Sequence, residues 1–150
     1  MSIPVATTTI AVLRLPADPE RDPFDPLEPV IGNLVANPSF EADLANWVAV
    51  SATLSRVTTD GHDGSACMQL VSTQGQGART AAMTLTAGTP YTASAWVRAP
   101  SGGGNVRLAV WDSTFTIVAS ATVAANATWQ QVTFAYTPPA AGTHYLIIQN

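Results

Sequence analysis

The chain has 150 residues, enough for one domain with an extension and a buried core. Hydrophobic residues make up 47% of it and charged residues only 11%, and the formal net charge is −4 at pH 7. An acidic chain without a basic patch is not expected to bind nucleic acid. No run of about 18 apolar residues is present, so no insertion into a membrane is predicted.

The first 32 residues divide into two segments of different composition. Residues 1–15 include TTTIAVLRL, whose β propensity predicts one strand, and we expect this segment to be a docking arm. Residues 16–32 hold five prolines three or four residues apart and five acidic residues, which predicts an extended linker. The N-terminus lacks the basic start and long apolar run of a signal peptide, so synthesis in the cytoplasm is expected.

Residues 33–150 form the predicted folded domain. They show alternating apolar residues interrupted by turn signals every eight to twelve residues or so, and no helical periodicity of useful length. This pattern predicts an all-β sandwich. The strands are predicted at residues 47–57, 65–72, 79–86, 89–99, 105–112, 115–123, 128–137 and 143–149.

Four segments in order resemble the carbohydrate-binding modules of the jelly-roll type found beside cellulases and xylanases. They are NLVANPSFEADLANW, DGHDGSACMQL, LTAGTPYTASAWVRA and ATWQQVTFAYTPPAAGTHYLIIQ. The resemblance implies a jelly-roll β-sandwich, here with an extended N-terminal arm, and a hook at Asn37–Glu41 that buries Phe40.

The resemblance also raises the question of a structural calcium, which is common in such modules. They usually continue through a closing strand that contains an aspartate, and none follows HYLIIQN here. Glu41 and a few carbonyl groups would remain, whereas calcium takes six or more oxygen ligands. No metal and no cofactor is therefore predicted. TTTIAVLRL could supply the absent strand to its own domain or to a neighbour.

The opening MSIPVATTTIAVLRLPADPERDPFDP resembles the start of small virion proteins of actinobacterial phages, especially at the head-to-tail junction. This resemblance implies that residues 1–32 contact other virion proteins. It also implies a homo-oligomeric assembly located in the virion.

Two predicted strands carry the candidate binding residues. Alternation places Tyr91, Ala93, Ala95 and Val97 on one face of YTASAWVRA and Val106, Leu108 and Val110 on one face of NVRLAVWD. If the two strands pair, their other faces could form a sugar platform of aromatic and hydrogen-bonding groups. The platform residues are Trp96, Arg98, Arg107 and Trp111, with Gln69 as a further contact. The alternative is that the two tryptophans pack under a loop, against the arm or at a subunit contact.

Other residues give little indication of catalysis. Trp47 and Trp129 are predicted in the core, and two histidines with one cysteine do not have metal-ligand spacing. Neither a carboxylate pair typical of glycosidases nor a nucleophile motif is evident, so no enzyme is predicted. The predicted function is a non-catalytic phage structural protein that displays the sandwich. The alternative is a carbohydrate-binding module that attaches to host surface polysaccharide.

Overall fold

The computed structural model describes residues 5–14, 33–62, 64–73, 75–100 and 104–150, and confirms an all-β jelly-roll sandwich. Among these residues no helix is long and apolar enough to cross a membrane. The described ranges contain eleven strands: β1 (Val5–Arg14), β2 (Trp47–Val50), β3 (Thr53–Val57), β4 (Cys67–Val71), β5 (Gly77–Thr80), β6 (Met83–Leu85), β7 (Tyr91–Arg98), β8 (Gly104–Trp111), β9 (Ile117–Ala125), β10 (Gln130–Tyr136) and β11 (Gly142–Gln149).

The strands form two antiparallel sheets. The first sheet has the order β10-β7-β1-β4-β3, and the second has the order β2-β5-β11-β8-β9 with β6 also paired to β11. Two predicted strands are each divided in the structure. The strand predicted at residues 47–57 is interrupted at Ser51, which has a φ of 51°. The strand predicted at residues 79–86 is interrupted between β5 and β6.

Strand β1 lies in the middle of the first sheet. It pairs with β4 from Val5↔Val71 to Thr8↔Met68, and with β7 from Thr7↔Arg98 to Arg14↔Thr92. The strand predicted for TTTIAVLRL is therefore present, and it completes the sheet of its own chain. Residues 16–32, predicted as a linker, lie outside the described residues.

The core lies between the two sheets and is lined by alternate residues of their strands. The inward-facing residues predicted for β7 and β8 are confirmed, because each is at most 4% exposed. They are Tyr91, Ala93, Ala95, Val97, Val106, Leu108 and Val110. Strands β4 and β11 add Met68, Leu70, Leu146 and Ile148. Outward-facing residues of both sheets therefore remain for binding.

The hook that precedes β2 is held by backbone conformations that most side chains avoid. Asn37, Phe40 and Asn46 have φ of 52°, 60° and 71°. The amide of Asn37 donates to Asp43 and to the Ala45 carbonyl, and Trp47 Nε1 donates to the Asn37 carbonyl at 3.1 Å. These bonds orient Phe40 into the core, where it is fully buried beside Trp47 with ring centroids 5.3 Å apart.

Candidate functional site

The predicted platform is divided between the two sheets. Strand β7 pairs with β10 and β1 in the first sheet, whereas β8 pairs with β11 and β9 in the second. The prediction that Trp96, Arg98, Arg107 and Trp111 share a face is therefore wrong. Alternation distinguishes inside from outside, but it does not show whether two consecutive strands pair or cross the sandwich. Trp96, Arg98 and Gln69 face outward from the first sheet, and Arg107 and Trp111 face outward from the second.

On the first sheet, Trp96 is covered by the loop that follows β3. The His62 ring stacks on it, with centroids 3.9 Å apart and planes inclined by 17°. Arg98 forms an ion pair with Asp60 of the same loop, and its Cζ lies 4.9 Å from the centroid of Trp129. Trp129 is thus half-buried on this outer surface, and its predicted place in the core is wrong. We call these residues the Trp96 cluster: Asp60, His62, Trp96, Arg98 and Trp129.

Gln69 lies apart from the Trp96 cluster. Its Oε1 accepts a hydrogen bond from Ser55 Oγ at 3.2 Å, across the β3–β4 pair. The register sets Gln69 and Arg98 opposite the same residue of β1, Thr7, so one strand separates them. Of the predicted residues on this sheet, Trp96 and Arg98 are therefore occupied by contacts within the chain, and Gln69 is tied to a neighbouring strand.

The second sheet carries a group of aromatic and cationic side chains on its outer surface. Phe115 stacks on Tyr145 with ring centroids 5.2 Å apart and meets Trp111 edge-on at 5.8 Å. The guanidinium carbon of Arg79 lies 4.8 Å from the Tyr145 ring centroid and 5.6 Å from that of Phe115. Together with a polar pair at the other end, they make up what we call the aromatic face: Arg79, Arg107, Trp111, Phe115, Tyr145 and Gln149.

The polar end of the aromatic face is formed by Arg107 and Gln149, which are opposite each other on β8 and β11. Arg107 Nε donates to Gln149 Oε1 at 3.1 Å, and Gln149 Nε2 donates to the Gly75 carbonyl at 3.0 Å. The terminal nitrogens of Arg107 have no acceptor among the described residues. This end therefore offers oriented donors on the same outer surface as the aromatic rings.

Phe115 is displayed by a tight turn between β8 and β9. Asp112 Oδ1 accepts hydrogen bonds from the Thr114 backbone N–H, the Thr114 hydroxyl and the Thr116 N–H at 2.7–3.0 Å. These hydrogen bonds, of which the one from the Thr114 hydroxyl has the largest effect, lower the pKa of Asp112 and keep its carboxyl group ionised. In this turn Phe115 adopts a φ of 62° and remains 51% exposed. A bulky residue held in this conformation costs on the order of 1–3 kcal/mol, and such strain concentrates at ligand-binding sites.

The sequence prediction contained only two of the six residues of the aromatic face. The sequence predicts a strand over residues 115–123 that includes Phe115, whereas β9 begins at Ile117, and the Asp112–Thr114 pair is the turn signal that indicates the later start. Tyr145 and Gln149 lie on β11, where Leu146 to Gln149 are all buried. Alternation is therefore lost on this strand, and its outward side chains cannot be identified from pattern alone.

The hook does not fit a calcium ion. Arg56 Nε donates to the Phe40 carbonyl at 2.6 Å, and its Nη2 donates to the Glu41 carbonyl. The Glu41 carboxylate accepts hydrogen bonds from Ala66 N and Ser65 Oγ, both at 2.9 Å. These bonds lower the pKa of Glu41, and the bond from Ala66 has the largest effect. A guanidinium thus occupies two carbonyl oxygens of the hook, and the described residues contain no cluster of three His, Cys, Asp or Glu side chains.

The model of the carbohydrate binding domain family matches residues 32–149. The chain belongs to this family. The match includes the hook and both outer surfaces of the sandwich, and it begins after β1. No curated protein matches the chain.

Solved structures share the fold of this domain. The N-terminal CBM22-1–CBM22-2 tandem domain of Paenibacillus barcinonensis Xyn10C has a TM-score of 0.59 at 16% identity, covering 74% of this chain and 40% of its own. A CBM4 structure has a TM-score of 0.52 at 22% identity, covering 71% of this chain and 79% of its own. The arabinose-bound MgGH51 α-L-arabinofuranosidase has a TM-score of 0.57 at 16% identity, covering 71% of this chain and 20% of its own. The chain therefore spans less than half of two of these three proteins.

Proposed function

We propose that the aromatic face binds polysaccharide, with no catalytic step. The observation that carries this proposal is the exposure of Phe115, held at positive φ by Asp112 and stacked beside Tyr145. Aromatic rings offer flat apolar surfaces to the C–H faces of sugar rings, and the donors of Arg79 and Arg107 can hydrogen-bond hydroxyl groups. Membership of the carbohydrate binding domain family supports the same function.

The two outer surfaces of the sandwich differ in what they can offer a ligand. In the Trp96 cluster, His62 occupies one face of Trp96 and Asp60 neutralises Arg98. On the aromatic face, Phe115 is the more exposed ring, and neither arginine is paired with a carboxylate of the described residues. The proposed site is therefore the outer surface of the second sheet, and Trp96 provides an aromatic control on the opposite sheet.

Binding can be tested with the full chain and a panel of insoluble and soluble polysaccharides, including host cell-wall polysaccharide. Phe115→Ala should weaken binding by roughly tenfold or more, equal to about 1.4 kcal/mol. Trp96→Ala should leave it unchanged if circular dichroism shows both variants folded. Loss of binding in Trp96→Ala but not in Phe115→Ala would move the site to the first sheet. Absence of binding to every polymer at millimolar sugar would refute the proposal.

Attachment to a phage particle through residues 1–32 remains a separate prediction. The family match favours the carbohydrate-binding function, which the sequence offered as the alternative. The two functions are compatible, because a module displayed in many copies can hold a surface through weak individual sites. Mass spectrometry of purified particles is the direct test of a virion location.

A further inference from the structure

The arginines of the described domain fall into two groups. Arg98 is paired with Asp60, and Arg56 donates to the Phe40 and Glu41 carbonyls of the hook. The two arginines of the aromatic face, Arg79 and Arg107, have no carboxylate partner among the described residues. Their contacts are aromatic rings, the Thr80 carbonyl and the Gln149 amide oxygen.

The distribution of acids accentuates this difference. Glu41 and Asp43 lie in the hook, and Asp60 is on the opposite sheet. Asp112 is the acid nearest the aromatic face along the chain, and one of its oxygens already accepts three hydrogen bonds within its turn. A chain of net charge −4 thus presents two guanidinium groups without carboxylate partners on its proposed binding surface.

We propose that the aromatic face selects anionic polysaccharides whose sugars carry carboxylate groups, the uronic acids. This inference rests on the proposed function of the same face. The planar fork of a guanidinium matches a carboxylate with two parallel hydrogen bonds, and such charge-assisted bonds are roughly twice as strong as neutral ones. The guanidinium carbon of Arg79 lies 5.6 Å from the centroid of the exposed Phe115 ring, so a sugar that contacts the exposed part of this ring brings a carboxylate at its edge within reach of Arg79.

Arg107 provides a second point of recognition. The register places Arg79 opposite Ile147 and Arg107 opposite Gln149, with β11 between β5 and β8. The strand and residue spacings of a sheet put their Cα atoms about 12 Å apart, diagonally across the surface. The two guanidinium groups can therefore meet carboxylates of different sugars along one polymer chain.

The test uses the full chain, polygalacturonate and its carboxyl-reduced, neutral counterpart of the same length. We expect the acidic polymer to bind at least about tenfold more tightly, with the difference shrinking as salt screens the charges. Arg79→Gln and Arg107→Gln should each weaken binding of the acidic polymer more than binding of the neutral one, and so reduce the preference by about threefold or more. Arg98→Gln, on the opposite sheet, is the matched control and should change neither.

The outcomes separate this inference from the proposed function. Equal affinity for the two polymers would overturn the selectivity while polysaccharide binding stands. Dextran sulfate binding as tightly as polygalacturonate would also overturn it, because simple charge attraction would then suffice. Preference for the acidic polymer that persists in both arginine variants would place recognition elsewhere. Binding of neither polymer, with binding of other neutral polysaccharides retained, would refute this inference alone.

Discussion

Replacing Arg56 tests whether an internal guanidinium holds the hook of this domain. In Arg56→Met the apolar stem remains, while the hydrogen bonds to the carbonyls of Phe40 and Glu41 are lost. Those carbonyls lie in the segment where Phe40 is held at a φ of 60° with its ring in the core. The change therefore removes the hydrogen-bond donor of two carbonyl oxygens in a strained turn.

The size of the effect follows from the bonds that are lost. A hydrogen bond to a charged group contributes about 1.5–3 kcal/mol to stability, and partial exposure of Arg56 favours the lower end. Two such bonds near the lower end predict a loss of about 3–4 kcal/mol. For a domain of this size the melting temperature should fall by roughly 4 °C for each kcal/mol, so by roughly 12–16 °C. Arg56→Lys keeps the charge but loses the planar fork of the guanidinium. Its melting temperature should lie between those of the unsubstituted protein and Arg56→Met.

Thermal unfolding followed by near-UV circular dichroism, in calcium and in EDTA, measures both parts of the argument. The unsubstituted protein should melt at the same temperature in both solutions, because Arg56 occupies the carbonyls. Arg56→Met should melt lower in both. A melting temperature within about 2 °C of the unsubstituted protein, less than 1 kcal/mol here, would refute the role of Arg56. A clear drop in EDTA for the unsubstituted protein would show that the hook does hold a metal.

Three further predictions concern Gly77, Glu41 and Cys67. A Cβ on Gly77 would overlap the carbonyl oxygen of Ile148, so Gly77→Ala should lower the free energy of unfolding, measured by urea denaturation, by at least about 2 kcal/mol. Gly142 has open space around it, so Gly142→Ala should change this free energy little. Hydrogen bonds depress the folded-state pKa of Glu41 below 4.5, so its carboxylate stabilises the fold above that pH, and this contribution is lost as the pH falls through the lower folded value. Glu41→Gln should accordingly be less stable at pH 7 and lose less stability on acidification; an unchanged acid limb in a pH series of urea melts would contradict this. Burial raises the pKa of the Cys67 thiol, so iodoacetamide should modify Cys67 only when urea unfolds the protein. Mass spectrometry measures the labelling, and rapid modification of the folded protein would contradict this prediction.

The fold could be predicted largely because its signals are local. Strand alternation identified the inward residues of β7 and β8, and the Asn-Pro-Ser-Phe-Glu stretch identified the buried Phe40. The pairing of strands is not local. The residues between Arg98 and Gly104 could connect a hairpin or a crossing between sheets, and the structure has the crossing. One such choice separates Trp96 from Trp111 by the full thickness of the sandwich.

The candidate site shows why residue type alone did not identify the binding surface. Each sheet presents a tryptophan, an arginine and a glutamine on its outer surface, so composition does not distinguish the two sheets. The difference arises from loops: the turn after β3 brings Asp60 and His62 onto Arg98 and Trp96, whereas the turn after β8 directs Phe115 outward. Asp60 pairs with Arg98, whereas Asp112 is hydrogen-bonded within its own turn and leaves Arg79 and Arg107 without a carboxylate partner among the described residues. The outer surface of the second sheet is therefore where binding should be measured.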